Sequence, residues 1–180
     1  MATVDVWMTG QMAGGLAFCA PEAATSTAER LREAYQANFQ RIYCLAFWMT
    51  NNELAAEEVT GNVFRRAFVS SVVPEPEILD RTLVNELRQS CVIGELTLRA
   101  DQSRQVMGAR RNIRRVDLEN AVVELPATER IIFLMHDVEG YAHSQIARLI
   151  GLNEEESIQG LHQARLRIRE LVAVRKYLAA

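Results

Sequence analysis

The spacing of the apolar residues constrains the fold of this chain more than any other feature. From Thr27 to about Met49, apolar side chains recur every three or four residues, which is the period of an α-helix. Only nine glycines and four prolines interrupt the 180 residues, and aromatic residues make up 7% of them. Few helix breakers and few aromatic residues favour helix and argue against a sandwich or a barrel. The sequence therefore predicts an all-α protein.

Seven helices are expected from the apolar pattern and its interruptions. They lie at about 27–49, 53–69, 77–92, 118–124, 127–138, 143–150 and 153–177. Ser26 and Thr27 give a helix-start signal, and Asn153 is placed to cap the last helix. The helices fall into two groups on either side of a segment that is rich in arginine and poor in apolar residues. We expect a loose tail at 1–26, one helical domain at 27–95, a linker at 96–116 and a second helical domain at 117–180.

The linker concentrates positive charge in a chain whose net charge is −3. Between Arg99 and Val116 there are six arginines against one acidic residue, Asp101. A negative chain can bind nucleic acid only through such a local patch. An arginine run can equally be a solvated surface, and the sequence leaves both interpretations open.

Several classes of protein are not expected. No apolar stretch reaches roughly 18 residues, so a membrane span is not predicted. The three cysteines, Cys19, Cys44 and Cys91, are odd in number and far apart, which indicates reduced thiols in a cytoplasm. An export signal is not expected either, because Asp5 stands where a signal peptide carries positive charge and the first basic residue is Arg30.

Enzyme chemistry is also not expected. The chain has no GxGxxG, P-loop or GxSxG sequence, and we predict neither a catalytic residue nor a cofactor. His136, Asp137 and His143 could suggest a metal site. However, His136 and Asp137 are adjacent on a predicted helix and are expected to point apart, and no cysteine accompanies them. No metal site is therefore predicted.

Residues 142–158 carry the most information about function. They form a short helix, a glycine turn at Gly151 and the start of a longer helix, which is the order of a helix-turn-helix. Ala147 is small enough to let the two helices approach closely, and Ile146 and Leu161 are expected to bury their shared face. The second helix would then be free to enter a major groove. Many three-helix bundles also carry a glycine between helices, so the pattern alone does not decide.

Three segments of the C-terminal half resemble the DNA-binding region that ends bacterial sigma factors. They are residues 124–141, 145–152 and 161–171. Residues 55–68 resemble the polymerase-docking helix of the same family, and Asn85 is similar to an asparagine of its promoter-opening helix. The length is that of the two-region, extracytoplasmic-function (ECF) class, and the resemblance covers roughly residues 30–177.

The resemblance implies a DNA-binding transcription initiation factor that recruits core RNA polymerase to promoters. It implies RNA polymerase core and promoter DNA as partners, with an anti-sigma factor as a further candidate, and a cytoplasmic location. The residues expected to contact polymerase are Glu57, Glu58, Arg65 and Arg66. Those expected to contact DNA are Asn85, Arg88, Arg110, Arg111, Arg114, Arg115, Gln159, His162, Gln163, Arg165 and Arg169.

The chain departs from the family pattern in three places. Glu58 and Gly61 stand where an aspartate and a glutamine are typical, and Ile78-Leu79 replaces a tryptophan-leucine pair. Three glutamates, residues 154–156, open the helix that would read DNA. Their negative charge could stabilise the positive end of the helix dipole. Alternatively, they could face the DNA, where a glutamate can accept a hydrogen bond from the amino group of cytosine.

These departures keep two alternatives open. One is a regulatory protein on the sigma scaffold that has lost productive promoter recognition. The other is a plain helix-turn-helix repressor that acts as a dimer.

Overall fold

The computed structural model describes residues 26–70, 73–98 and 113–178, with side chains to residue 174. These residues form seven α-helices: α1 (Thr27–Thr50), α2 (Glu53–Ser70), α3 (Pro76–Leu87), α4 (Arg115–Val123), α5 (Ala127–Phe133), α6 (His143–Ile150) and α7 (Glu154–Leu178). A π-helical turn, Leu134–Val138, continues α5. No strand occurs in these ranges, which confirms the all-α prediction. None of these helices is long and apolar enough to cross a membrane.

The ends of α1 follow from residues that the sequence singles out. The Ser26 hydroxyl accepts from the backbone N–H of Glu29, and the Glu29 carboxylate accepts from the N–H of Ser26. This reciprocal arrangement is a capping box, and it satisfies two of the amide groups left free at a helix start. At the other end Asn51 takes a left-handed conformation, with φ of 51°, and its N–H donates to Phe47. The chain can therefore turn directly into α2.

The first unit consists of α1, α2 and α3 packed on one another. Its core contains Ile42, Val63, Leu79, Leu83 and Leu87, each completely buried. Aromatic rings along α1 extend this core, because residues four apart share a helix face. They are Tyr35, Phe39, Tyr43 and Phe47, and Phe64 of α2 packs against Tyr35.

Helix α3 ends earlier than the apolar pattern predicts. The pattern continues to Val92, but the helix ends at Leu87 and Arg88 is its C-cap. The chain then leaves in an irregular segment, residues 91–98, which contains Gly94 at a φ of +116°. Val92 is exposed, whereas Ile93 is buried. Ile93 is therefore buried without being part of α3, and the predicted helix end is wrong by about one turn.

The second unit contains α4 to α7. Helix α4 begins at Arg115, three residues before the predicted start, and the predicted helix 127–138 is α-helical only to Phe133. Helices α4, α5 and α6 all pack against α7. Buried residues of the two units form one continuous hydrophobic cluster, and α1 and α3 contact helices of the second unit. The tail at 1–25 and residues 99–112 of the linker lie outside the described residues.

Candidate nucleic-acid interface

Helices α6 and α7 form the helix-turn-helix that the sequence predicts. Gly151 adopts the left-handed conformation, with φ of +78°, and both its N–H and that of Leu152 donate to the Ala147 carbonyl. A side chain at this φ is strained, which is why glycine is favoured there. Ile146 and Ile150 of α6 are completely buried, and Leu161 of α7 is nearly so. The outer side of the first turns of α7 remains exposed.

A second capping box fixes the start of α7. The Asn153 side-chain oxygen accepts from the N–H of Glu156 at 2.8 Å, and the Glu156 carboxylate accepts from the N–H of Asn153 at 2.8 Å. Glu156 therefore has a structural role that requires no DNA. Glu154 and Glu155 are exposed in the same turn, where they oppose the positive end of the helix dipole.

The predicted base-reading residues of α7 divide between surface and interior. Gln159 and His162 are exposed. Gln163, in contrast, is 6% exposed and faces the core side of the helix. The expectation that Gln163 reaches base edges does not agree with this position, because its side chain is buried rather than on the outer face of the helix.

Two of the predicted phosphate contacts on α7 differ in their surroundings. The Arg165 guanidinium donates twice to Asp137, with N–O distances of 2.9 and 2.5 Å. This bidentate pair lowers the pKa of Asp137 and raises the pKa of Arg165, mainly through the hydrogen bonds between them. Arg169 is exposed one turn further along the helix. DNA contact by Arg165 would therefore compete with Asp137.

The histidines near this pair are closer together than expected. His136 lies 2.9 Å from the Asp137 carboxylate, and its ring stacks on His143 with a centroid distance of 4.4 Å. The expectation that His136 and Asp137 point apart is wrong. They lie within a π-helical turn, which has a different spacing of side chains from an α-helix. His143 also contacts the buried Ser157 hydroxyl at 3.0 Å, and burial lowers the pKa of His143.

Asn85 lies on the exposed side of α3, and Arg88 is exposed at the end of this helix. The Arg88 guanidinium donates to the carbonyl of Ile150, the last residue of α6, at 2.8 Å. A cation is favourable there, because the carbonyls at the end of a helix are its negative pole. Arg88 thus bridges the two units.

The predicted linker contacts are only partly described. Arg110 and Arg111 lie outside the described residues. Arg114 donates twice to Asp117, and this contact raises the pKa of Arg114; Arg115 donates to Glu119 at 2.6 Å. These arginines are exposed, but each already has an acidic neighbour on α4.

The predicted polymerase contacts lie on the surface of α2. Glu57, Glu58 and Arg65 are exposed. Arg66 is exposed as well, but it pairs with the buried carboxylate of Glu86 on α3 at 2.6 Å. Arg66 therefore also supports the packing of α2 on α3, and the other three are free of that role.

The sequence did not reveal the side chains that join the two units. Arg130 donates to the carbonyls of Trp48 and Met49 at the end of α1, to that of Val123, the last residue of α4, and to that of Leu125. Its burial among carbonyls lowers its pKa. The only sequence signal was an arginine directly before an apolar run, a pattern that surface helices also show.

Glu129 is a second such residue, and it is completely buried. Its carboxylate accepts from the backbone N–H groups of Thr97 and Leu98 at 2.6 and 2.7 Å. The neighbouring Thr128 hydroxyl accepts from the N–H of Gly94. The irregular segment 91–98 is therefore fixed against α5. A buried carboxylate is stable only with such donors.

Comparison with known proteins identifies the C-terminal unit. Residues 115–168 match the family model described as "Sigma-70, region 4". The C-terminal unit is therefore similar to region 4 of the sigma-70 family. This match supports a function in transcription initiation. Residues 115–168 contain α4, α5, α6 and most of α7, so the family match and the helix-turn-helix coincide.

A solved structure shows the same fold over both units. It is the sigma factor RpoE in complex with the anti-sigma factor NepR from Bartonella quintana. The two proteins are 16% identical, and the match covers 80% of this chain and 97% of that one, with a TM-score of 0.58. This likeness shows a common fold. No curated protein shows significant sequence similarity to the chain.

Proposed function

We propose that this chain is a sigma factor of the sigma-70 family, which recruits core RNA polymerase through the exposed side of α2 and contacts promoter DNA through α3 and α7. The observation that carries this proposal is the region 4 match, which falls on a helix-turn-helix whose second helix has an exposed outer side. In such a unit the second helix reads the major groove. Core polymerase and promoter DNA are the partners that the family implies.

The DNA contacts divide by expected role. Gln159 and His162 lie where side chains can reach base edges, and Arg169 lies on the same helix where phosphates would pass. Asn85 and Arg88 would contact the promoter at α3. The linker arginines Arg110, Arg111, Arg114 and Arg115 would neutralise phosphates without reading sequence.

The polymerase contact can be tested by reversing charge on α2. The change Glu58→Lys with Arg65→Glu keeps the net charge and alters two exposed side chains, so the fold should be retained. We expect this variant to recover much less core polymerase in a pull-down than the wild type. Arg32→Glu with Glu33→Lys on α1 is the matched control, because both residues are also exposed. Equal recovery by the folded α2 variant and the control would contradict the docking role of α2.

An anti-sigma factor is a further proposed partner. The support is the neighbouring structure, in which RpoE is bound to the anti-sigma factor NepR, and whose sigma chain shares the fold of this one. Such a partner would compete with core polymerase for the chain. Co-purification from the source cells with the α2 charge variant as the bait would distinguish the two partners. The variant should no longer recover core polymerase and should still recover the anti-sigma factor.

A regulatory protein that no longer recognises promoters is the second candidate function. It is favoured by Glu154 and Glu155, which are exposed at the start of α7 and would repel phosphates. Arg165, which could offset them, is bound to Asp137. Such a protein would bind core polymerase and give no transcript from the upstream region of its own gene.

A further inference from the structure

One apolar side chain interrupts the polar outer side of α7. The exposed residues of this helix follow one another at spacings of three and four, so they share one face, which we call the α7 strip. It consists of Glu155, Ile158, Gln159, His162, Arg165 and Arg169. The opposite side of the helix is buried at Ser157, Leu161 and Ala164. Ile158 is therefore an apolar residue in an otherwise polar strip.

Neither packing nor helix propensity accounts for Ile158. Its side chain is 51% exposed. Among the described residues of α7, the hydrophobic cluster takes in Leu161, Ala164 and Ile168, and Ile158 lies outside it. A β-branched side chain on a helix surface also lowers helix propensity slightly, because its χ1 angle is restricted. The contacts of the free chain thus leave this isoleucine without a structural role.

The position of Ile158 is one that a DNA-bound helix-turn-helix uses. Ile158 lies in the second turn of α7, and the N-terminal residues of the second helix are those that meet base edges in such units. The major groove offers an apolar side chain one apolar group, the C5 methyl of thymine. The neighbouring Gln159 is exposed as well, and an amide side chain can bind the edge of adenine. Both residues therefore favour A·T base pairs.

The charges of the α7 strip also favour recognition by uncharged groups. No arginine or lysine occurs between Glu154 and Gln163, so the start of α7 offers no cation to a guanine or a phosphate. The first arginine of the strip, Arg165, is held by Asp137. An apolar contact releases no counterions, so its contribution to affinity does not depend on salt as that of a phosphate contact does.

We propose that Ile158 is a specificity-determining residue, which contacts the C5 methyl group of a thymine in the major groove of the promoter. This inference rests on the proposed contact of α7 with DNA. Burial of one methyl group is worth about a fourfold difference in affinity. Deoxyuridine keeps every hydrogen-bonding group of thymidine and lacks only this methyl group, so it isolates the contact.

The experiment removes the methyl group from the DNA and the side chain from the protein. The full chain first selects duplexes from a random library. The enriched duplex is then synthesised with each thymine replaced in turn by deoxyuridine. Fluorescence anisotropy gives the Kd of each duplex for the parent chain, for Ile158→Ala and for the control Val174→Ala. Circular dichroism confirms that the variants fold.

Val174 is a matched control because it is an apolar residue of the same helix and is 56% exposed. It lies about four turns beyond Ile158, away from the turns that enter the groove. Val174→Ala therefore removes a similar exposed apolar side chain of α7 without removing the proposed contact.

At one thymine, we expect deoxyuridine to raise the Kd of the parent chain and of Val174→Ala about fourfold. Ile158→Ala should bind the thymine duplex about as weakly as the parent binds the deoxyuridine duplex, and it should not respond to the loss of the methyl group. A methyl effect that Ile158→Ala retains would overturn the assignment. Equal Kd values of the parent for every duplex would overturn it too, and that result requires no protein variant. A parent chain that enriches no sequence would contradict the proposed function, and the inference would fall with it.

Discussion

Arg130 shows how one side chain can organise two helical units. Its guanidinium meets carbonyls at the end of α1 and after α4, so it satisfies groups that a helix end leaves without partners. Arg130→Met removes these donors but retains most of the apolar stem. We expect a loss of about 2–3 kcal/mol in the free energy of unfolding, measured by urea denaturation. The exposed Arg169→Met should change it by less than about 0.5 kcal/mol. Equal effects would mean that the Arg130 contacts contribute little.

His143 predicts how stability depends on pH. Burial holds the pKa of His143 below its ordinary value of 6.5 in the folded chain. The unfolded chain therefore binds a proton first as the pH falls, and the contribution of His143 to stability is present above about 6.5 and is lost below it. The pKa of Asp137 is also lowered, but its contribution is lost only in more acidic solution.

We expect the free energy of unfolding to decrease between pH 7.5 and 5.5, and His143→Gln to flatten that decrease. His162→Gln, at an exposed position, is the control. Urea midpoints across this range measure the effect. A profile that His143→Gln leaves unchanged would show that another group titrates.

Side-chain exposure is predicted well where polar and apolar residues alternate cleanly around a helix. Gln159 and His162 lie on the surface of α7 as expected, but Gln163 is buried at the edge of the apolar side. The helical period predicts which way the buried face of a helix points. How many residues that face includes depends on the helices that pack against it. Arg130 and Glu129 went unrecognised for the same reason. The partners Thr97 of Glu129 and Trp48 of Arg130 lie more than 30 residues away, and such contacts leave no pattern in the sequence.

At the scale of the element, the start of α7 separates two glutamates that the sequence could not distinguish. Glu156 accepts from Asn153, and Glu155 is exposed without that role. We expect Glu155→Lys to strengthen duplex binding roughly fivefold, equivalent to about 1 kcal/mol, because it replaces repulsion of phosphate by attraction. Anisotropy titration measures this, and binding should weaken again with added salt.

Glu156→Ala should act differently, since it removes a cap. We expect it to reduce the free energy of unfolding by about 1 kcal/mol and to change DNA affinity less than Glu155→Lys does. Sequence-specific binding by the wild type that Glu155→Lys abolishes would show instead that this glutamate reads a base.

Two helical glycines give a matched pair of substitutions. A Cβ at Gly61 of α2 meets nothing within 4 Å, so Gly61→Ala should stabilise the chain by about 0.8–1 kcal/mol through helix propensity alone. A Cβ at Gly160 of α7 would lie 2.7 Å from Ile132 and 2.8 Å from Leu96. Because Ile132 is completely buried, Gly160→Ala should lower stability despite the same gain in propensity. Stabilisation by both substitutions, measured by thermal unfolding, would mean that Leu96 does not pack there.

At the scale of the molecule, the helix order and the helix-turn-helix were predictable from the sequence. The packing of the first helical unit against the second was not. Periodicity, caps and the turn at Gly151 act over a few residues, so each helix appears in the sequence with an error of a few residues at its ends. Contacts between the units join residues far apart in the sequence: Asp80 and Tyr141 are 61 positions apart, and Arg41 and Tyr141 are 100 apart. The sequence therefore predicted two units on a linker, and the structure adds their common interface.

The sigma-factor account is tested most directly by run-off transcription. Purified core RNA polymerase and this chain are incubated with a template that carries the upstream region of the chain's own gene, and the transcripts are sized. We expect a discrete transcript that requires the chain and that is strongly reduced by Glu58→Lys with Arg65→Glu. A folded chain that binds core polymerase but yields no transcript above the core enzyme alone would contradict the account and would favour the regulatory function.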